Sequence, residues 1–139
     1  MYTHTHAAVV HDLTAEQVWN VWSNVNGWHT WQDDIEFARL DAPFHTGSTF
    51  RFKPKGGPLM DLELTHVEPH VAFTDLTRFP LARMLDSHEL IERDGALEVR
   101  TTITLSGPLS FLWRKLVVND IVRDLPQQTE RLLAQARGA

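Results

Sequence analysis

The sequence predicts an α+β domain: an antiparallel sheet of six to seven strands, two short helices after the first strand, and a long C-terminal helix. Three observations lead there. Between Asp34 and Leu105 apolar residues recur with a period of two, as in strands with one buried face. Asp94-Gly95 separates two such runs, a strong hairpin signal, and most other links are of hairpin length, which makes the pairing antiparallel. Helical spacing is confined to a tryptophan-rich stretch after Leu13 and to the tail from Pro108.

Tyr2–His11 has the β-branched, alternating character of a first strand. A helix start follows, with three agreeing signals: Thr14 as N-cap, Gln17 at the capping-box position, and Leu13 and Val18 spaced as a hydrophobic staple. Trp19, Trp22, Trp28 and Trp31 then fall within thirteen residues. Asn24, Asn26 and Gly27 weaken helix between the two pairs, so two short helices should meet at a bend. Helical spacing makes Trp19 and Trp22 core residues, while Trp28 and Trp31 lie beyond the bend.

Six further strands are expected: Ile35–Leu40, Ser48–Lys53, Met60–Val67, Val71–Phe79, Met84–Glu92 and Leu97–Leu105. The inward face of Ile35–Leu40 is ambiguous. Phe50 and Phe52 share one face of theirs, and Met60, Leu62, Leu64 and His66 share one face of the next. A two-residue turn at Asp94-Gly95 pairs Leu90 with Val99, His88 with Thr101, Asp86 with Ile103 and Met84 with Leu105. It also sets Glu89 opposite Arg100, a favourable charge pair on the other face. Asp86 and His88 therefore point inward, unless a bulge intervenes.

From Pro108 the chain is helical, but its apolar face moves. Leu109, Leu112, Trp113 and Leu116 form one stripe; Val118, Ile121, Val122, Leu125, Leu132, Leu133 and Ala136 form another, nearly opposite. Either the helix breaks near residues 117–119, or its first turns meet a lid or the second subunit of a homodimer. Pro126 should add a kink.

Composition narrows the function. The 139 residues suit one domain, residues 1–139, with 42% hydrophobic and 22% charged side chains. A net charge of −5 argues against a nucleic-acid partner. The absence of cysteine excludes disulfides, thiolate chemistry and cysteine-ligated metal. No segment reads as a secretory signal or as a membrane span, so membrane insertion is not expected and a cytoplasmic protein is. His4 and His6 share a strand face and could chelate a metal, but no third ligand is identifiable; neither a metal nor a cofactor is expected. Lys53-Pro54-Lys55-Gly56-Gly57-Pro58 is glycine-rich like a phosphate loop, yet it joins two strands and is better read as a hairpin tip.

The segments VWNVWSNVNGWHTWQDDIEFARLDAPFHTGS, FKPKGGP, THVEPHVAFT and SHELIE, followed by the long C-terminal helix, resemble the START-like superfamily that includes polyketide cyclases and dehydratases (SRPBCC proteins). The resemblance spans nearly the whole chain. It implies a helix-grip fold, with a curved antiparallel sheet wrapped around the C-terminal helix and two short helices closing one end. It also implies a deep cavity for a hydrophobic or aromatic ligand. No universal catalytic motif comes with it.

In such a fold a core face is also a cavity wall. The expected ligand-contacting residues are Trp28, Trp31, Phe50, Phe52, Met60, Leu62, Leu64, Phe73, His88, Leu90, Thr101 and Trp113. Each apolar member also has a plain packing role. His88 reads first as a core histidine bonded to Asp86 or to the backbone, and second as a general acid/base oriented by that carboxylate. Asp86 and Arg78 complete the candidate catalytic set, although Arg78, like Arg83, also fits a solvated rim.

Three functions follow. The first is binding of a hydrophobic small molecule such as a lipid, polyketide or aromatic metabolite. The second is a cyclase, aromatase or dehydratase using His88, Asp86 and Arg78. The third is a protein-interaction module using the Leu109–Leu116 stripe. A cavity rich in titratable groups would favour the second, and an almost wholly apolar one the first.

Overall fold

In the computed structural model, which describes residues 1–138, seven strands form one antiparallel sheet. They are β1 (Tyr2–Val10), β2 (Ile35–Arg39), β3 (Thr49–Pro54), β4 (Met60–Glu68), β5 (Ala72–Phe79), β6 (Ala82–Arg93) and β7 (Ala96–Ser106). Their spatial order is β1-β7-β6-β5-β4-β3-β2. Strands β2 to β7 are successive antiparallel neighbours, whereas β1 and β2 stand at opposite edges. The helical segment between them must therefore carry the chain across the whole sheet.

Helix α1 (Ala15–Ser23) begins with the expected capping box. The Gln17 N–H donates to Thr14 Oγ1 at 3.2 Å, and the Thr14 N–H donates to Gln17 Oε1 at 2.8 Å. The chain bends at Asn24 into a 3-10 helix, Val25–Thr30. The Trp28 indole N–H donates to the Trp22 carbonyl at 3.0 Å, satisfying an acceptor near the end of α1. Asn26 fastens the bend to the sheet: its Oδ1 accepts from the Leu40 N–H at 2.8 Å.

The β6–β7 register is as the sequence implied, from Arg93↔Ala96 through His88↔Thr101 to Met84↔Leu105. Asp94 and Gly95 both have positive φ, 51° and 79°, as this hairpin turn requires. Two bulges alter the expected faces. A shift between Ile35 and Phe37 settles the ambiguous strand: Ile35 and Ala38 are buried and Phe37 is not. Another between Leu64 and His66 reverses the parity of β4. Leu62 and Leu64 are buried, but His66 turns outward beside Glu68, and Val67 packs inward instead.

The C-terminal helix does not break. α2 (Ser110–Trp113) passes through a π-helical turn, Arg114–Val118, into α3 (Asn119–Gly138), which continues through Pro126. A π turn inserts an extra residue per turn and so rotates every later side chain. That rotation accounts for the swapped stripe. Leu125, Leu132, Leu133 and Ala136 are buried, whereas Phe111, Leu112 and Leu116 are exposed. Trp113 stacks on Phe79 at 4.8 Å and donates its indole N–H to the Pro80 carbonyl at 2.9 Å. At the far end Arg137 grips Asp12 at 2.7 Å and 3.2 Å, tying the tail of α3 to the start of the crossover.

The curved sheet wraps α3, and the core between them has two parts. The larger joins the tryptophan helices to Phe50, Leu64, Phe73, Leu90, Val99 and Leu133. The smaller joins Met84, Ile103 and Leu105 to Val118 and Leu125. Among the described residues no helix is long and apolar enough to cross a membrane.

Candidate functional site

A cavity of about 570 Å³ lies between the two parts of the core. β5 and β6 form its floor, because their alternation sends Phe73, Asp75, Thr77 and Phe79 inward from one strand and Met84, Asp86 and His88 from the other. Leu125, Thr129 and Leu132 of α3 oppose them. The β3–β4 hairpin tip, Pro54 to Gly57, and Trp31 form part of the rim. Gln128 of α3 donates to Gln32 at 2.6 Å, a polar clasp between the helix and the loop after Trp31.

Of the residues expected to contact ligand, Trp28, Trp31, Phe52, Met60, Leu62, Phe73, His88 and Thr101 line this cavity. Phe50, Leu64 and Leu90 do not; they are buried in the larger core cluster, Phe50 edge-on to Trp28 at 5.4 Å. Trp113 is held outside by Phe79 and Pro80. The tryptophans also divide differently from the expected two pairs. Trp22 lines the cavity with Trp28 and Trp31, while Trp19 packs edge-on to Trp22, Phe44 and Phe73. Arg78 is not in the site. Asp75 and Thr77 point inward, so Arg78 between Thr77 and Phe79 points out, and it pairs with Glu63 at 3.0 Å. Arg83 is likewise exposed.

His88 is held by rings. It stacks on Phe73 at 4.5 Å and leans on Trp22 at 5.4 Å. Its Nδ1 lies 3.4 Å from Thr101 Oγ1 and its Nε2 lies 3.0 Å from Asp86 Oδ1. The second approach suits an ion pair but lacks hydrogen-bond alignment, so Asp86 Oδ1 is buried without a hydrogen bond.

The polar residue that sequence reasoning missed is Asp75. It sits directly across the ladder from Asp86, as Phe73 sits across from His88. It is 4% exposed and faces the cavity. Burial, and secondarily the Asp86 charge, raise its carboxyl pKa well above the usual carboxylate range. Its signal was available in the sequence: Asp75 shares strand parity with Phe73 and Phe79. One donor atom from each of Asp75, Asp86 and His88 lies within 4.8 Å of the others, close enough to share a cation. This set, rather than His4 and His6, is where metal-ligand types converge among the described residues.

Solved structures supply the comparison. The Zhui aromatase/cyclase from Streptomyces sp. R1128 superposes with a TM-score of 0.76 over 98% of this chain and 93% of its own, at 13% identity. The shared fold is a helix grip, a curved antiparallel sheet around a long C-terminal helix. Ara h 8.0201 matches with a TM-score of 0.70 over 99% of this chain and 100% of its own, at 9% identity. The hypothetical protein jhp0584 from Helicobacter pylori matches at 0.79, over 97% and 88%, with 14% identity. At such identities the likeness establishes the fold alone, and any activity has to be argued from the cavity. No family model and no curated protein matches the sequence.

Proposed function

We propose that this domain binds a hydrophobic or aromatic small molecule in the cavity between its sheet and α3. The supporting observation is the cavity itself: about 570 Å³, within the range of about 300–1,000 Å³ usual for small-molecule sites. Its walls are mainly aromatic and aliphatic, and its few deep polar groups converge at one place, Asp75, Asp86, His88, Thr77 and Thr101. That combination suits a molecule with an apolar body and one oriented polar group.

Titration with small aromatic molecules tests this reading, because Trp22, Trp28 and Trp31 report on the cavity. Saturable, one-to-one quenching or enhancement of indole emission is the expected result. Replacing Trp28 and Trp31 with Phe should diminish the signal and leave the Trp22 contribution. An unchanged response would place the binding elsewhere.

A second reading is acid/base catalysis of the cyclase or dehydratase kind, favoured by the titratable groups that line the cavity and by the arrangement of those at its floor. A histidine with a carboxylate 3.0 Å from one ring nitrogen and a hydroxyl near the other faces the cavity beside a second, buried carboxyl. A protonated Asp75 could donate while His88 accepts. His88→Phe preserves the stack on Phe73 and removes the base. Under this reading it abolishes turnover of a candidate substrate and leaves binding intact, whereas undiminished turnover restricts His88 to orientation and packing.

A further inference from the structure

The charged groups around the cavity are almost all of one sign. Asp34, Asp75, Asp86, Asp120 and Asp124 line it, against one lysine, Lys55, and one histidine, His88. Lys55 stands exposed on the hairpin tip, and no arginine lines the cavity. Arg123 pairs with Asp120, but among the described residues neither Asp34 nor Asp124 has an ion-pair partner. A ligand entering the cavity thus meets carboxylates at the rim and again at the floor.

The floor is the more telling end. Asp75 is almost fully buried, faces the cavity, and lies opposite Asp86, whose Oδ1 is buried without a hydrogen-bond partner. Like charges directly across a ladder are destabilising, and an unpaired buried carboxylate is costly. Within the protein Asp75 meets these costs by keeping its proton to higher pH, and Asp86 has only His88 beside it, at 3.0 Å; a cation in the cavity would take that proton's place and let both carboxylates ionise. The surrounding surfaces specify what kind of cation. Phe73 adjoins Asp75 on the same strand face, Phe79 follows beyond Thr77, and Trp22 borders the same space. Aromatic faces attract organic ammonium groups and pack against apolar rings. A bare metal ion would satisfy the carboxylates and leave most of the apolar wall uncovered.

We propose that the ligand is an organic cation, an aromatic or alicyclic ring system carrying an amine, with its ammonium group seated on Asp75 and Asp86 and its rings against the tryptophan wall. This inference rests on the cavity-binding reading above and narrows it to a charge class. Rim carboxylates Asp34 and Asp124 attract such a molecule and disfavour its anionic counterparts.

A matched series separates the two levels: 2-naphthylmethylamine, 2-naphthylmethanol and 2-naphthoate, titrated calorimetrically at about pH 7.5, where the first is a cation and the last an anion. The amine should bind about tenfold or more tighter than the alcohol, as a charge-assisted contact supplies, with the naphthoate weakest. Asp75→Asn should bring the amine down to the affinity of the alcohol while changing the alcohol itself by less than about twofold. Asp86→Asn should also reduce the preference for the amine, and circular dichroism verifies that each variant is folded. If the alcohol binds as tightly as the amine, or if both substitutions weaken amine and alcohol equally, the charge assignment is wrong and cavity binding stands. If none of the three binds, the cavity reading falls and this inference with it.

Discussion

Asp75 keeps its proton to higher pH than it would in an unfolded chain. Its carboxyl is raised from the ordinary 3.8 by burial first and by Asp86 second. Protons favoured in the folded state make stability fall as pH rises from the unfolded value through the folded one. Asp75→Asn removes that loss, so its thermal midpoint should exceed that of the wild type, by more at about pH 8 than at about pH 4. A gain that is constant across this range would show that Asp75 is not titrating. His88 makes the opposite case, a polar ring stabilised by packing on Phe73 and Trp22. His88→Ala should cost about 1–3 kcal/mol in denaturant unfolding, and His88→Phe much less. The difference between these two residues also explains what the sequence disclosed. Asp86 and His88 were legible because Asp94-Gly95 fixes their hairpin register. Asp75 lies on the other side of a turn built from Pro80 and Leu81, where Leu81 adopts a φ of 56°. A leucine in that conformation is uncommon, so nothing in the residue types announced a two-residue turn there.

At the scale of elements, local chemistry set the boundaries and bulges set the faces. The capping box of α1 was written in Thr14 and Gln17, and Thr14→Ala should cost about 1 kcal/mol of stability. Gly107, between β7 and α2, is more demanding. It has a φ of 113°, and a Cβ there would stand 2.7 Å from both the Leu81 carbonyl oxygen and Ala82 Cα. Gly107→Ala should therefore destabilise by more than about 2 kcal/mol, measurable by chemical denaturation; a neutral effect would mean the junction is free to move. The bulges were illegible because an extra residue leaves composition unchanged. His66 follows the Leu62–Leu64 alternation in sequence, and only the shift before it turns it outward. The π turn had a trace, the rotation of the apolar stripe, but periodicity alone could not separate an inserted turn from a break.

For the molecule as a whole, the cavity is the space that two incompletely joined core clusters leave between sheet and helix. The run from β2 to β7 was accessible from hairpin links, the place of β1 beside β7 was not, and the family resemblance supplied the wrap around the C-terminal helix. Volume was not accessible, since it depends on where α3 settles and on which large side chains pack away from it. Phe50, Leu64 and Leu90 show this: all three lie on inward faces, yet none borders the cavity. The central claim is that this space takes up a small molecule. Isothermal titration of 2-naphthylmethanol into the wild type and into Leu62→Trp, which places a larger ring in the cavity wall, tests it most directly. The account predicts saturable one-to-one binding to the wild type and a loss of about tenfold or more in the filled but folded variant. Absence of saturable binding to the wild type, or equal binding to both proteins, would contradict it.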